Sequence, residues 1–322
     1  MAYATLTDLV LPESMAQDVI NASIENSRFF QSGAVANMTD ALEAVPSKGK
    51  VLMPFWNDLS GVSQLAHNGV NLTVGSVTQG QDEAAVLSRA GVWGSEDLAA
   101  AFKGEDPVAF IENRASNWWA NELDRVAAQN LLAALATVVS GASMAANVND
   151  ISGLTGTADV IDDSAMIDTA GLLGDKDEDL SLVIMHSAVR RKLEKLNVVE
   201  DFVPSEGAKA IKLYRGRSII TTDRLAPASG KYKTIFVGAG AIGFFEGQPK
   251  KPTEIHREPL LNGGEEAFVS RRIFGIHPRG IAFAATPAGN CATDAELATA
   301  ANWERVWTAQ NIKIAVLIHD IA

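Results

Sequence analysis

The sequence holds one cysteine, Cys291, few aromatic residues, and too few basic residues to balance its acidic ones. A single thiol excludes an intrachain disulfide and a metal site built from several thiolates. The 27 Lys and Arg residues stand against 39 Asp and Glu residues, which gives a formal net charge of −12. A protein that grips many phosphates is usually basic, so this balance argues against nucleic acid as the main ligand.

The sequence also lacks a stretch with the form of a targeting or membrane segment. Its first basic residue is Arg28, and no long apolar core precedes it, so we expect no secretory signal. The longest uncharged run, residues 126–149, contains Gln, Asn, Ser and Gly and continues a charged helical pattern. We interpret this run as a packed helix end, and no membrane partner is expected.

The clearest element that is present is a helix predicted over residues 106–140. Asp106 has the character of an N-cap, Pro107 fits the first helical position, and apolar residues recur every three to four positions. Ser140 and Gly141 are predicted to end this helix. At 35 residues it would be unusually long for a globular domain.

Residues 57–104 show the alternation that is typical of β-strands. Val70, Leu72 and Val74 alternate with polar residues, and Asn68-Gly69 is a turn signal. The pattern predicts a long two-stranded hairpin with a polar tip. Because such a hairpin has no core of its own, we expect it to lie on a neighbouring surface, which indicates oligomerisation.

The chain beyond residue 155 mixes helices and strands. The run LSLVIM (180–185) predicts a buried strand, and residues 187–196 predict a helix with Val189, Leu193 and Leu196 inside. Short strand-like runs separated by turns follow up to residue 320. The order of these elements predicts an α+β fold.

Gly238, Gly240 and Gly243 form the G-x-G-x-x-G spacing of dinucleotide-binding loops. That motif requires a following helix whose N-terminus faces the pyrophosphate. Here two prolines, Pro249 and Pro252, follow too closely for a helix to continue. We interpret the loop as two strands joined by a close turn, and a nucleotide-binding enzyme stays a minor alternative.

Other chemical motifs are equally weak. Residues 175–179 (DKDED) begin like a calcium loop, but Leu180 and His186 replace the required Gly and Glu, so we expect a solvated acidic turn. No zinc-type spacing joins the histidines, which we interpret as polar edge residues: His67, His186, His256, His277 and His319. We therefore predict that the protein is not an enzyme and has no catalytic, cofactor-binding or metal-binding residues.

An arm, a long hairpin, a long helix and a mixed α/β region, in that order, resemble a tailed-bacteriophage major capsid protein of the Hong Kong 97 type. Three stretches carry the likeness: VIMHSAVRRKLEKLNVVEDF with YRGRSIITTDRL, then EEAFVSRRIFGIHPRGIAF, and ELATAANWERVWTAQNIKIAVLIHD. The resemblance implies an α+β capsid fold with an N-arm, a β-hairpin E-loop, a spine helix, and peripheral and axial domains.

On this resemblance, residues 1–56 form the N-arm and 57–104 the E-loop, which overlies a neighbouring subunit. Residues 105–154 form the peripheral domain with the spine helix, 155–252 the axial domain, and 253–322 a return to the peripheral domain with a C-terminal extension. The implied function is self-assembly into an icosahedral shell that encloses phage DNA. An encapsulin-type compartment shell is the alternative.

The resemblance also implies partners: other copies in pentamers and hexamers, a portal, and packaged DNA enclosed without sequence-specific binding. The expected location is the virion, after assembly in the host bacterial cytoplasm. No long charged helical extension precedes the arm, so a separate scaffolding protein is expected.

Some family members join an E-loop lysine to an asparagine of a neighbour. The predicted tip here has no lysine, and only Lys50 and Lys103 flank its base, so we predict no such crosslink. Non-covalent contacts or a decoration protein would then hold the shell. The residues predicted to make assembly contacts are Asn68, Gln79, Arg89, Glu122, Arg125, Arg271 and Arg272.

Overall fold

The computed structural model describes residues 32–38, 49–59, 61–67, 69, 71–96, 107–135, 144–156, 158–203, 211–225, 227–260 and 264–321. Several predictions concern residues outside these ranges. They include most of the N-arm, the Asp106 cap, the Ser140-Gly141 helix end, and the positions of Asn68 and Lys103.

The described residues form sixteen strands and four α-helices, in an α+β arrangement. In chain order they are β1 Val35–Asn37, β2 Lys50–Trp56, β3 Gln79–Ala85, β4 Leu87–Glu96, α1 Pro107–Ala134, β5 Val148–Asp150, α2 Asp163–Ala170, β6 Leu180–Met185, α3 Ser187–Lys195, β7 Glu200–Phe202, β8 Ile211–Tyr214, β9 Arg217–Thr221, β10 Tyr232–Gly238, β11 Ile242–Gly247, β12 Thr253–Glu258, β13 Glu265–Pro278, β14 Ile281–Phe283, α4 Asp294–Ala298, β15 Trp303–Arg305 and β16 Ile314–His319.

A seven-stranded sheet with the order β5-β16-β10-β6-β9-β8-β7 lies between two hydrophobic clusters. Successive side chains of a strand point to opposite faces. Leu182 and Ile184 of β6 therefore join the larger cluster with α1, whereas Val183 and Met185 pack with α2 and α3. Because both faces are buried, the strand is a continuous apolar run, and the prediction of a buried strand at 180–185 is confirmed.

The second large sheet is built around β13, which pairs with β4 on one side and with β11 and β12 on the other. Helix α1 packs across β13. Trp119 of the helix is fully buried, and its indole Nε1 donates a hydrogen bond of 2.9 Å to the Ser270 hydroxyl. About three helical turns further on, the Asn130 side-chain amide donates to the Ile276 carbonyl at 2.7 Å. These bonds satisfy buried polar groups and fix the helix on the sheet.

Helix α1 begins at Pro107 as predicted, and its described span ends at Ala134. The predicted end at Ser140 and Gly141 lies outside the described residues. The 28 residues of the described helix span about 42 Å.

The hairpin consists of β2 and β3, which pair from Lys50 with Ala85 to Trp56 with Gln79. The prediction of a strand through Val70, Leu72 and Val74 is wrong, because the described residues between 57 and 78 contain no strand. Leu72 is 57% and Val74 94% exposed among the described residues, so their alternation does not reflect packing within a sheet. The first hairpin strand also lies before residue 57, inside the range predicted for the N-arm.

Strand pairing crosses the predicted domain limits. Strand β11 lies in the range predicted as axial, yet it pairs with β13 in the other sheet. Strands β5 and β16 lie in ranges predicted as peripheral, yet they belong to the seven-stranded sheet. Pairing partners distant in the chain leave no local signal in the sequence, so these exchanges could not be predicted. The assignment of capsid domains itself stays a prediction.

The three glycines of the G-x-G-x-x-G spacing have structural roles at the crossing between the two sheets. Strand β10 ends at Gly238, and β11 begins at Ile242 in the other sheet. Gly240 has a φ of 67°, a conformation that favours glycine. A Cβ at Gly238 would lie 2.7 Å from the Asp179 carbonyl oxygen, and one at Gly243 would meet the sulfur of Met38. The prediction of two strands joined by a close turn is confirmed, and the turn carries the chain from one sheet to the other.

Candidate assembly surfaces

The base of the hairpin is attached to the body of the protein by buried polar pairs. The Lys50 ammonium donates to Glu83 Oε2 and to the Ala284 carbonyl, both at 2.8 Å. His277 Nε2 lies 3.0 Å from Asp82 Oδ1, and Asp82 Oδ2 accepts the Gly280 N–H at 3.0 Å. Two strands that would be marginal alone are thus held against the five-stranded sheet around β13.

Burial alone would raise the pKa of the Asp82 carboxyl. The nearby His277 ring and the backbone N–H groups of Gly280 and Glu83 more than offset this effect, so the pKa of Asp82 is lowered from its usual range. Hydrogen bonds that stabilise the charged carboxylate have this effect. The carboxylate is therefore ionised at neutral pH and holds the hairpin strand β3 to the end of β13.

Beyond this anchored base, residues 57–78, which we call the hairpin loop, project apolar side chains into solvent. Trp56 at its start is 68% exposed, and within it Val62 is 90% and Val74 94% exposed. The two arms of the loop are tied together, because Gln64 exchanges hydrogen bonds with the backbone of Thr73. Several exposed apolar side chains on one segment mark an interaction surface.

Three of the predicted assembly residues meet inside one chain at Asp294. Arg89 contacts Asp294 Oδ1 at 2.6 Å, and Arg125 contacts Asp294 Oδ2 at 3.0 Å. Arg125 also pairs with Glu122 at 2.6 Å. The cluster joins β4, α1 and α4, so these charges hold the subunit together, and their contact with a neighbouring copy stays a prediction.

The two adjacent arginines of β13 have opposite environments because neighbouring strand residues point to opposite faces. Arg271 is partly exposed and contacts Glu254 Oε2 at 3.0 Å. Arg272 is 2% exposed, its Nε donates to Glu246 Oε1 at 2.8 Å, and its guanidinium lies 5.5 Å from the Trp119 ring centroid. The prediction that Arg272 contacts a neighbouring subunit is therefore wrong, because its side chain is enclosed within its own chain.

Gln79 and Asn68 complete the predicted set. Gln79 is exposed at the start of β3, where the hairpin loop returns to the body, so its assembly contact stays a prediction. Asn68 lies outside the described residues.

Two histidines predicted as polar edge residues are in fact buried. His277 is 1% exposed and His319 is fully buried, with Nε2 2.9 Å from the Thr234 hydroxyl. Burial lowers the pKa of His319 to about 4. The apolar residues on either side of both histidines in the sequence could have indicated their burial. No sequence signal indicates that Asp82, 195 residues away, is the partner of His277.

The acidic residues 175–179, which we call the acidic turn, lie at the end of a 3-10 segment, Gly171–Asp179. Asp175 and Glu178 are exposed, and Asp179 contacts Lys313 at 3.1 Å. Among the residues that the structure describes, no group of three or more His, Cys, Asp or Glu side chains could hold a metal ion. None of the described helices is long and apolar enough to span a bilayer.

Comparison with known proteins gives these surfaces a context. The family model of Gp13-like proteins, described as "Major capsid protein 13-like", matches residues 102–315. The chain belongs to this family of major capsid proteins. A relative, the major capsid protein of Bacillus phage SPP1, is 36% identical to this capsid protein, with 100% of this chain and 99% of the relative covered.

Solved structures show the same fold at low sequence identity. The capsid of Ralstonia phage GP4 matches with a TM-score of 0.58 at 10% identity, and 92% of each chain is covered. The capsid asymmetric unit of cyanophage Pam1 matches with a TM-score of 0.57 at 11% identity, with 93% of each chain covered. The predictions of a phage major capsid protein and of the Hong Kong 97-type fold are confirmed. As a major capsid protein, the chain is a structural subunit of a phage virion and associates with its own copies.

Proposed function

We propose that this capsid protein builds an icosahedral shell of pentamers and hexamers, in which the hairpin loop of each copy lies on a neighbouring copy. The observation that carries the proposal is the contrast along the hairpin. Its base is fixed by the Asp82–His277 pair, whereas Val62 and Val74 of its loop are almost fully exposed. A firmly attached segment whose apolar side chains are exposed among the described residues fits a site on another copy.

The charge of the subunit supports enclosure of DNA without sequence-specific binding. The formal net charge of −12 would repel a phosphate backbone at long range, so the shell surrounds packaged DNA and does not grip it. This balance also favours the shell over a nucleic-acid-binding protein. We further propose that the protein has no enzymatic activity, because the glycines of its one nucleotide-like motif serve the turn between two sheets.

Further partners follow from the proposed shell. We expect a separate scaffolding protein, a portal at one vertex, assembly in the host bacterial cytoplasm, and room for a decoration protein. In this scheme the residues before β2 act as the N-arm, and 155–252, apart from β11, contribute the axial domain at the five- and six-fold axes. The late segment 253–322 returns to the peripheral domain, except that β16 completes the seven-stranded sheet.

The test is assembly of the full chain with its neighbouring phage genes, followed by size-exclusion chromatography and negative-stain microscopy. We expect closed shells, or rings of five or six subunits, from the unchanged chain. The double variant Val62→Ser and Val74→Ser should fold but lose shells, since both side chains are exposed in the single subunit. Val92→Ser, a matched change at an exposed valine outside the loop, should still assemble. Full assembly of the loop variant would contradict the proposed role of the loop.

A further inference from the structure

A cavity of about 450 Å³ opens between the C-terminal half of α1, the start of β10 and the segment after α4. Among its described lining residues there are four cations and no carboxylate. The cations are Arg125, Arg224, Lys231 and Lys233. Gln129 and apolar residues such as Leu132 and Ala298 form the rest of the wall.

Two of these cations already have carboxylate partners. Arg125 contacts Glu122 and Asp294, and Lys231 lies 3.4 Å from Asp320. They therefore add little net positive charge to the cavity.

The side chains of the other two cations donate to neutral oxygens of the described chain. Arg224 donates to the side-chain oxygen of Asn121 at 3.0 Å, and Lys233 donates to the Leu132 carbonyl at 3.1 Å. Burial lowers the pKa of the Lys233 ammonium, and the more distant Asp150 offsets this only in part. A half-buried ammonium without an ion pair is stabilised when an anion arrives.

The shape and chemistry of the cavity favour a carboxylate side chain over nucleic acid. A duplex backbone needs an exposed basic ridge, whereas this site is a recess on a subunit of net charge −12. The guanidinium of Arg224 offers paired donors to a planar carboxylate, and the apolar wall suits the methylene groups of a Glu side chain.

The subunit itself exposes such carboxylates at a place from which they cannot reach its own cavity. Asp175 and Glu178 of the acidic turn are exposed and have no ion-pair partner among the described residues. Leu180, next to this turn, pairs with Gly238 at one end of β10, and Lys233 lies five residues away toward the other end. The two features are thus separated by roughly 17 Å along the strand and cannot meet within one chain.

We propose that this cationic cavity receives the acidic turn of a neighbouring copy. A contact between two different patches is heterologous, and heterologous contacts that close generate rings. The inference rests on the proposed shell, because it requires copies that are held side by side. It adds a specific charged contact at the end of the seven-stranded sheet to the apolar contact of the hairpin loop.

The first test is a crosslink in assembled particles. In a Cys291→Ser background, Glu178→Cys is combined with Ala228→Cys, since Ala228 is exposed and lines the cavity. Oxidised particles should give disulfide-linked dimers and larger oligomers, which a reductant converts back to monomers on a denaturing gel. The matched pair Glu178→Cys and Lys195→Cys, with Lys195 exposed on α3, should stay monomeric. Particles that form without the expected crosslink would overturn the inference and leave the shell intact, whereas absence of particles from the unchanged chain would contradict the shell itself.

The second test reverses charges. Arg224 is exposed, so Arg224→Glu should fold with an unchanged melting temperature but lower the particle yield at least tenfold. Adding Glu178→Arg should restore part of the yield, because one ion pair is re-formed with opposite polarity. The control Lys195→Glu makes the same change in net charge away from the cavity and should assemble normally. Equal yields from Arg224→Glu and Lys195→Glu would also overturn the inference.

Discussion

Nε2 of His277 lies 3.0 Å from Oδ1 of Asp82, and both side chains are buried where the hairpin meets the five-stranded sheet. The second carboxylate oxygen of Asp82 accepts the backbone N–H of Gly280 at 3.0 Å. The Asp82 side chain of β3 therefore contacts both the end of β13, at His277, and the turn that follows it, at Gly280. The direction in which the hairpin leaves the subunit depends on this carboxylate.

Asp82→Asn should lower the free energy of unfolding by about 1–3 kcal/mol at pH 7, because a buried ionic hydrogen bond is weakened. Since the pKa of Asp82 is lowered in the folded state, its contribution is fully present above the unfolded pKa of about 4. That contribution is lost as the pH falls through the folded pKa. The difference between the two proteins should therefore shrink below pH 4, as measured by urea unfolding of the subunit from pH 7 to pH 3.

Chymotrypsin provides a second measurement for the same variant. The hairpin loop contains no Lys or Arg, but chymotrypsin can cut after Leu59 and Leu65. We expect faster cutting in Asp82→Asn than in the unchanged protein, because the base of the hairpin is less firmly attached. The exposed change Asp58→Asn serves as the control. Identical unfolding curves and cutting rates for both variants would refute the anchoring role.

The neighbouring arginines of β13 should respond very differently to mutation. Arg272→Ala removes the buried partner of the half-buried Glu246, and loss of one member of such a pair costs about 3–5 kcal/mol. Arg271→Ala removes a solvent-exposed pair with Glu254 and should change stability little. Thermal and urea unfolding of the two variants provide the measurement, and similar losses for both would contradict the difference in burial.

The double change Arg272→Met and Glu246→Leu isolates the ionic part of this site. Burial raises the pKa of Glu246 and lowers that of Arg272, while each group partly offsets the shift of the other. Replacing both by apolar residues of similar size removes the desolvation cost together with the attraction. The double variant should therefore be more stable than Arg272→Ala, and a double-mutant cycle would measure the coupling.

Gly238→Ala tests the structural role of the nucleotide-like motif. The new methyl group would lie 2.7 Å from the Asp179 carbonyl oxygen, which is backbone and cannot move aside cheaply. We expect a loss of about 1–3 kcal/mol, as is usual for overpacked sites. NAD at millimolar concentration should leave the melting temperature of the unchanged protein where it was, because a bound ligand would raise it. A rise that Gly238→Ala abolishes would restore the enzyme alternative.

Denatured particles should contain monomers only. The hairpin loop has no lysine, and Lys50 at its base is buried against Glu83 and the Ala284 carbonyl, where it cannot reach a neighbouring copy. Denaturing gel electrophoresis and intact-mass analysis of purified shells provide the measurement. A ladder of oligomers that resists both heat and reductant would show that a covalent bond forms after all.

The elements with local sequence signals could be predicted well. The start of α1 follows from Pro107, and β6 follows from its apolar run, because propensity and burial act within a few residues. The sequence also predicts the turn at Gly240, because Pro249 and Pro252 follow too closely for a helix. The alternation through Val70 and Val74 wrongly predicts a strand, since the same pattern arises when exposed apolar side chains pack on another molecule.

The sequence shows which charged residues are present, but it does not show which of them contact one another. Arg271 and Arg272 are equivalent in sequence, and only the pairing of β13 with β4 and β12 decides which one faces the Trp119 side. Asp294 forms ion pairs with both Arg89 and Arg125. It is distant from both arginines in the chain and carries no motif of its own. Long-range pairing of this kind depends on the finished topology, which short patterns do not encode.

The placement of β16 has a consequence for synthesis. This strand, Ile314–His319, is made last among the strands, yet it lies between β5 and β10 in the seven-stranded sheet. A ribosome must therefore release residue 319 before β5 acquires its neighbour and before the sheet is continuous. Until β16 has been made, β5 is separated from the rest of the seven-stranded sheet, so this sheet is among the last parts of the subunit to be completed.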